Sequence, residues 1–251
     1  MEPSRRVWLI TGASSGIGAA LARRIAGKGT GLVIHARHSA ERLEAIAMEV
    51  HAAGSQVVTV LGDLAEPRTA VAVVDAARET FGSLDVLVAN AGFPIAKPAE
   101  AVTTDDLDYA FRGNAISFLA LAQAAHGMLR HAAHPRIIAT GSFTAHLFRN
   151  DLPQFPASVA AKGAIEVAVR SLALAYAPDR ITVNCVVPGY IAKDPGIAGN
   201  VDPARLAAIA ERIPLGRLGR PREVADLIAF LASDAADYIT GQSMHINGGL
   251  T

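Results

Sequence analysis

The chain has 251 residues, 51% of them hydrophobic and 18% charged, and its 23 Lys plus Arg balance its 23 Asp plus Glu. That size supports one α/β domain over residues 1–251 with a large core. The even charge gives no field suited to nucleic acid or an acidic membrane surface. A single cysteine, Cys185, excludes an intrachain disulfide, and its run ITVNCVV marks a buried structural thiol. No stretch approaches the ~18 uninterrupted apolar residues of a membrane span. The apolar run after the N-terminal arginines leads into a glycine turn instead of a cleavage site, so a cytoplasmic protein is expected.

In chain order, VWLIT at 7–11 reads as a first strand, followed by TGASSGIG at 11–18 and the helical stretch IGAALARRIAG. LVIHA at 32–36 and VVTVL at 57–61 are further strands, separated by SAERLEAIAMEVHAAG and followed by PRTAVAVVDAARETFG, both with helical periodicity. LDVLVAN at 84–90 leads to one long helical pattern, TTDDLDYAFRGNAISFLALAQAAHGML. RIIATG at 136–141, the helix SVAAKGAIEVAVRSLALAYA, ITVNCVV at 181–187, the helix PREVADLIAFLAS and SMHI at 243–246 complete the alternation. Seven β-branched-rich strands joined by helices predict a Rossmann-like, doubly wound, seven-stranded parallel sheet with helices on both faces. Residues 189–221, rich in proline and glycine, break the rhythm and are expected to form a mobile insert over the carboxyl edge of the sheet, where substrates bind.

The glycine loop after the first strand has the chemistry of a pyrophosphate cradle. Gly12 permits a tight turn, Gly16 and Gly18 permit close backbone approach, and the following helix offers N–H groups and the positive end of its dipole. An NAD site usually has an acidic residue at the end of the second strand. Here Ala36 stands there, followed by Arg37 and His38, and a guanidinium suits a 2′-phosphate. NADP(H) is therefore the expected cofactor, with NAD(H) second, and no metal is expected.

The ordered set TGASSGIG, GDL at 62–64, ANAG at 89–92, Asn114, Ser142, Lys162, VPGYI at 187–191 and ITGQ…INGG at 239–249 resembles the short-chain dehydrogenase/reductase family. The style is that of the 3-oxoacyl-carrier-protein reductases, and the likeness spans essentially the whole chain. It implies hydride transfer between a nicotinamide and a small-molecule substrate, usually in a homotetramer or homodimer. Carried over by position, it implies that Gly12, Ser14, Ser15, Ile17 and Gly18 cradle the pyrophosphate. Asp63 and Leu64 would flank the adenine, and Asn90, Ala91 and Gly92 the adenosine and central ribose side. Pro188, Gly189 and Ile191 would contact the nicotinamide, and Lys162 would hold its ribose hydroxyls. Asn114 would support a water beside Lys162, and Ser142 would donate to a substrate carbonyl.

One element of the family pattern is missing. The proton donor in such enzymes is a tyrosine four residues before the lysine, on the same helix face, where the ammonium lowers the phenol's pKa. This chain has Ser158 there, in SVAAK. A serine hydroxyl is a weaker acid and falls roughly 4 Å short, whereas proton transfer needs contact within about 3 Å or one water. Ser158 is therefore expected to line the floor of the site or hold a water. Two replacements suggest themselves: His146, with an imidazole of suitable acidity, and a water bound by Lys162. Tyr190 is a weaker third, and Phe143, Phe148 and Phe155 offer an apolar lining. The 2,4-dienoyl-CoA reductases also resemble the chain in their Ser-x-x-x-Lys turn, although their own tyrosine is absent too. Hydride addition to a conjugated system needs less help at oxygen than reduction of an isolated ketone, so an activated or conjugated carbonyl is the expected substrate. An ordinary carbonyl reductase with a relocated donor, and a catalytically silent NADP-binding protein, are the other readings.

Overall fold

The computed structural model describes residues 6–149, 155–194 and 203–250. Seven strands form one sheet: β1 (Arg6–Thr11), β2 (Thr30–Ala36), β3 (Gln56–Leu61), β4 (Val86–Ala89), β5 (Arg136–Thr140), β6 (Thr182–Pro188) and β7 (Ser243–Ile246). Their order is β3-β2-β1-β4-β5-β6-β7, and every pairing is parallel. The register runs through Trp8 with Leu32 and Val86, and through Ile138 with Asn184.

Parallel strands need crossovers, and the helices that supply them lie on both faces. They are α1 (Gly16–Ile25), α2 (Ala40–Ala52), α3 (Pro67–Phe81), α4 (Thr104–Phe111), α5 (Ser117–Leu129), α6 (Pro156–Tyr176), α7 (Pro203–Glu211) and α8 (Pro221–Ala232). Strand side chains alternate between faces. Val7, Leu9, Leu87 and Val183 join Phe118, Leu121 and Val169 in one buried cluster, whereas Trp8, Ile10, Val88 and Val186 join Leu21, Leu43 and Ile228 in the other. The expected doubly wound fold is therefore present, and its strands lie within a few residues of the predicted runs.

Two departures bear on the site. The long helical pattern after β4 divides into α4 and α5, with a π turn over Arg112–Ile116 between them. Such a turn carries an extra residue that the intrahelical bonds do not fully accommodate, and it holds Asn114. Within the stretch predicted as a mobile insert, α7 forms at Pro203–Glu211, while residues 195–202 lie outside the described residues. Among the described residues no helix is long and apolar enough to cross a membrane.

Candidate active site

In a doubly wound sheet the strand order reverses at one point, and the loops leaving the carboxyl ends there form a crevice. Here the reversal lies between β1, followed by the glycine loop, and β4, followed by Asn90–Gly92. Gly12 has φ +68, and a Cβ on it would lie 2.9 Å from Ala91 Cα; a Cβ on Gly18 would lie 2.3 Å from Gly12 O. A side chain at Gly12 would force the two loops apart, and one at Gly18 would push α1 off the glycine turn. Asn90 rivets them: its Nδ2 donates to Thr11 O (3.0 Å) and Gly12 O (3.2 Å), and its Oδ1 accepts from Thr140 Oγ1 (3.3 Å). Thr11 Oγ1 accepts in turn from Asn90 N and Ala91 N, each at 3.0 Å.

A cleft of about 290 Å³ opens between these loops, with Ser14, Ser15, Arg37, His38, Asp63 and Leu64 on its walls. Ile17 packs inward against the core below α1. Ser15 precedes α1 without capping it by its side chain. Instead Gly16 N donates to Asp194 Oδ2 at 2.6 Å, bringing a carboxylate to the positive end of the helix.

At the end of the cleft below β2 and β3, Tyr109 Oη donates to Asp63 Oδ2 (2.7 Å) and accepts from Arg37 Nη1 (2.9 Å). Burial raises the Asp63 pKa, but the N–H of Ala65, the Tyr109 hydroxyl and the charges of Arg37 and His38 outweigh it, and the net shift is downward. Asp63 is thus held as a carboxylate.

At the other end, Lys162 Nζ donates to Thr140 O at 2.8 Å. It also faces Gly92 and Asn114, since a Cβ on Gly92 would stand 2.7 Å from Nζ and 3.0 Å from Asn114 Oδ1. Asn114 Nδ2 donates to Ala110 O (2.8 Å), while its buried Oδ1 has no hydrogen-bond partner among the described residues. An acceptor left open beside an ammonium fits a bridging water or a ribose hydroxyl. Burial lowers the Lys162 pKa to about 8. Beneath it, Cys185 is fully buried, and burial with the nearby Glu166 pushes its thiol up to about 12, so it is no nucleophile.

Ser142 shares a hydrogen bond with Thr144 Oγ1 (2.8 Å) and caps the short turn after β5. Ser158 is buried on α6, and its Oγ accepts from Ile95 N at 2.7 Å. Ser158 thus clamps the loop after β4 onto α6. His146 turns to the buried Glu166 (2.8 Å) and packs edge-on against His245, with ring centroids 4.5 Å apart. Phe143 and Tyr190 face each other at 4.6 Å beside Ser142, whereas Phe148 is 67% exposed and Phe155 is the residue preceding α6. Gly189 N donates to Ile246 O (3.0 Å), and Ile191 bridges to Gly219, which anchors the chain leaving β6.

The glycine loop, Arg37, Asp63, Asn90, Ser142, Lys162 and Pro188 therefore all lie at one edge of the sheet. Tyr109, Phe93, Asp194 and Glu166 belong to the same surroundings, although no motif in the sequence marks them. At the opposite edge His134 Nδ1 lies 3.5 Å from Asp234 and 3.6 Å from Asp237, all exposed; Arg136 bonds the same Asp237 oxygen, which makes the group an ion-pair cluster.

A crevice of this form, with a glycine loop after β1, a serine after β5 and a lysine reaching in from α6, is that of a dinucleotide-dependent oxidoreductase. A family model described as enoyl-(acyl carrier protein) reductase matches residues 12–251. The cis-4-hydroxycyclohexanecarboxylate dehydrogenase of Sinomonas cyclohexanicum is 39% identical, over 99% of this chain and 97% of that one. A versicolorin reductase of Emericella nidulans is 34% identical, over 97% and 95%. Among solved structures, the L-sorbose reductase of Gluconobacter frateurii, complexed with NADPH and L-sorbose, superposes with a TM-score of 0.90 at 29% identity, covering 100% of this chain and 98% of that one. A short-chain dehydrogenase of Burkholderia cenocepacia in complex with NADP gives 0.89 at 33% identity, covering 100% and 99%. The chain belongs to the short-chain dehydrogenase/reductase family.

Proposed function

We propose that this protein is an NADP(H)-dependent reductase of activated or conjugated carbonyl compounds that works without the usual phenol. The observation that carries the reading is the lysine: Lys162 stands by Gly92 and Asn114 with a pKa of about 8, while Ser158, four residues before it, is tied to Ile95. The cleft fits the cofactor, because its phosphate end has a helix N-terminus and close-packed glycines, and its adenosine end has Ala36 where an NAD site would have an acid, with Arg37 next to it. The NADPH- and NADP-bound relatives support the same choice.

When bound, the cofactor supplies a hydride. The residues of the chain then manage charge and protons. Ser142 Oγ donates to the acceptor oxygen, where negative charge develops as the conjugated double bond is reduced. Lys162 holds the ribose hydroxyls and, with the open Asn114 Oδ1, a water. That water passes a proton to the resulting enolate, and Lys162 Nζ, an acid of suitable strength near neutral pH, replaces it. Solvent reprotonates the lysine. The Phe143 and Tyr190 rings flank the acceptor and suit a flat or cyclic skeleton, in keeping with the cyclohexane ring in the name of one relative. Exposed Ile116, Leu119, Val167 and Leu174 on the π turn, α5 and α6 support self-association as well.

The test compares NADPH consumption on an α,β-unsaturated ketone and on its saturated counterpart, with products identified. Reduction at the double bond is expected, with the saturated ketone at least about 100-fold slower, the scale of a lost general acid. Equal reduction at both carbonyls would point to an ordinary reductase with a relocated donor. NADPH binding without turnover of either would favour a silent nucleotide-binding protein.

A further inference from the structure

We propose that Tyr109 is a positioning residue for cofactor choice: its phenol joins Arg37, which faces the 2′-phosphate of NADP(H), to Asp63, which faces the adenine. The inference rests on the NADP(H) reading above.

Arg37 is an exposed, long side chain in the loop after β2, and left to itself it would sample many rotamers. Two contacts remove that freedom. Its Nη1 donates to Tyr109 Oη at 2.9 Å, and its guanidinium carbon lies 5.2 Å from the centre of the Phe93 ring. Phe93 is itself wedged: its ring centre is 4.9 Å from that of Tyr109, and a Cβ on Gly113, in the π turn, would approach it to 2.6 Å. The Tyr109 hydroxyl completes the chain by donating to Asp63 Oδ2 at 2.7 Å, while Asp63 Oδ1 accepts from Ala65 N at 2.9 Å.

One hydroxyl thus accepts from a cation and donates to an anion, a charge-assisted relay that phenylalanine cannot make. It joins the loops after β2 and β3 to helix α4, and it aims Arg37 along the wall of the cleft before any ligand arrives. Binding a 2′-phosphate then requires less ordering of the guanidinium, and that advantage applies only to a ligand carrying the phosphate. NAD(H), with a free hydroxyl there, gains nothing from an aimed arginine.

The test is equilibrium binding, followed by cofactor fluorescence for NADPH and NADH and by calorimetry for adenosine 2′,5′-bisphosphate and 5′-AMP. Wild type is compared with Tyr109→Phe, Arg37→Ala and the double variant. Tyr109→Phe keeps the ring on Phe93 and removes only the relay. It should weaken NADPH and the bisphosphate by about 5- to 10-fold, while NADH and 5′-AMP stay within about 2-fold. In the Arg37→Ala background the same substitution should have no further effect on NADPH, because the two residues act as one unit. Equal weakening of NADPH and NADH would reduce Tyr109 to a structural role and overturn the inference, as would unchanged or tighter NADPH binding. A wild-type protein with no preference for NADPH over NADH would instead overturn the cofactor reading, and the inference with it.

Discussion

Removing the Ser158 hydroxyl tests what the serine does in place of a phenol. In Ser158→Ala the Ile95 N–H loses an acceptor that now lies 2.7 Å away, beside the small cluster of Ala110, Ala157 and Ala161. Leaving a partly buried N–H unpaired costs about 1–2 kcal/mol. For a chain of this size each kcal/mol moves Tm by about 2–4 °C, so a fall of roughly 2–8 °C is expected. Thermal unfolding measures the fall, and amide hydrogen exchange locates it: the Ile95 amide should lose protection while the core strands keep theirs. Ser158→Thr retains an Oγ and should restore most of both. An Ala variant with unchanged Tm and unchanged exchange at Ile95 would refute the clamp and return Ser158 to the role of a free floor residue.

Three further outcomes follow from the geometry. Lys162 donates protons only as an ammonium and burial lowers its pKa to about 8, so kcat/KM for reduction should fall as pH rises through about 8; Lys162→Met should abolish that limb of the pH profile. Asp194 presents a carboxylate to Gly16 N, where a pyrophosphate would compete with it. Asp194→Asn should therefore tighten NADPH binding about 2- to 5-fold in a fluorescence titration. His146→Ala takes a partner from the buried Glu166, so it should lower Tm; turnover should stay within about 2-fold, against a loss of about 10-fold or more if the imidazole were the acid.

Much of this architecture is legible in the sequence because it has a local period. Alternating residues such as Leu9 and Ile10 mark strands buried on both faces, and glycines such as Gly12 punctuate their carboxyl ends, so the order of strands and loops places the cleft. The polar contacts that specialise it have no such signature. Ser158 meets Ile95 across 63 positions, Arg37 meets Tyr109 across 72, and Asp194 meets Gly16 across 178. Nothing in the neighbourhood of either partner encodes these pairings, because they depend on which strand ends the topology makes adjacent. The π turn is invisible for another reason. RGNAI continues the helical pattern on both sides, and one inserted residue does not change its composition.

The central claim, hydride reduction with a proton delivered through Lys162 and water, is tested most directly by isotope labelling. Single turnover of the conjugated ketone with NADPH deuterated at the transferable position should place one deuterium on the β-carbon of the saturated product. Unlabelled NADPH in D₂O should place one on the α-carbon. Recovery of unreduced ketone under conditions where NADPH is fully bound, or deuterium only at the carbonyl carbon, would contradict the account.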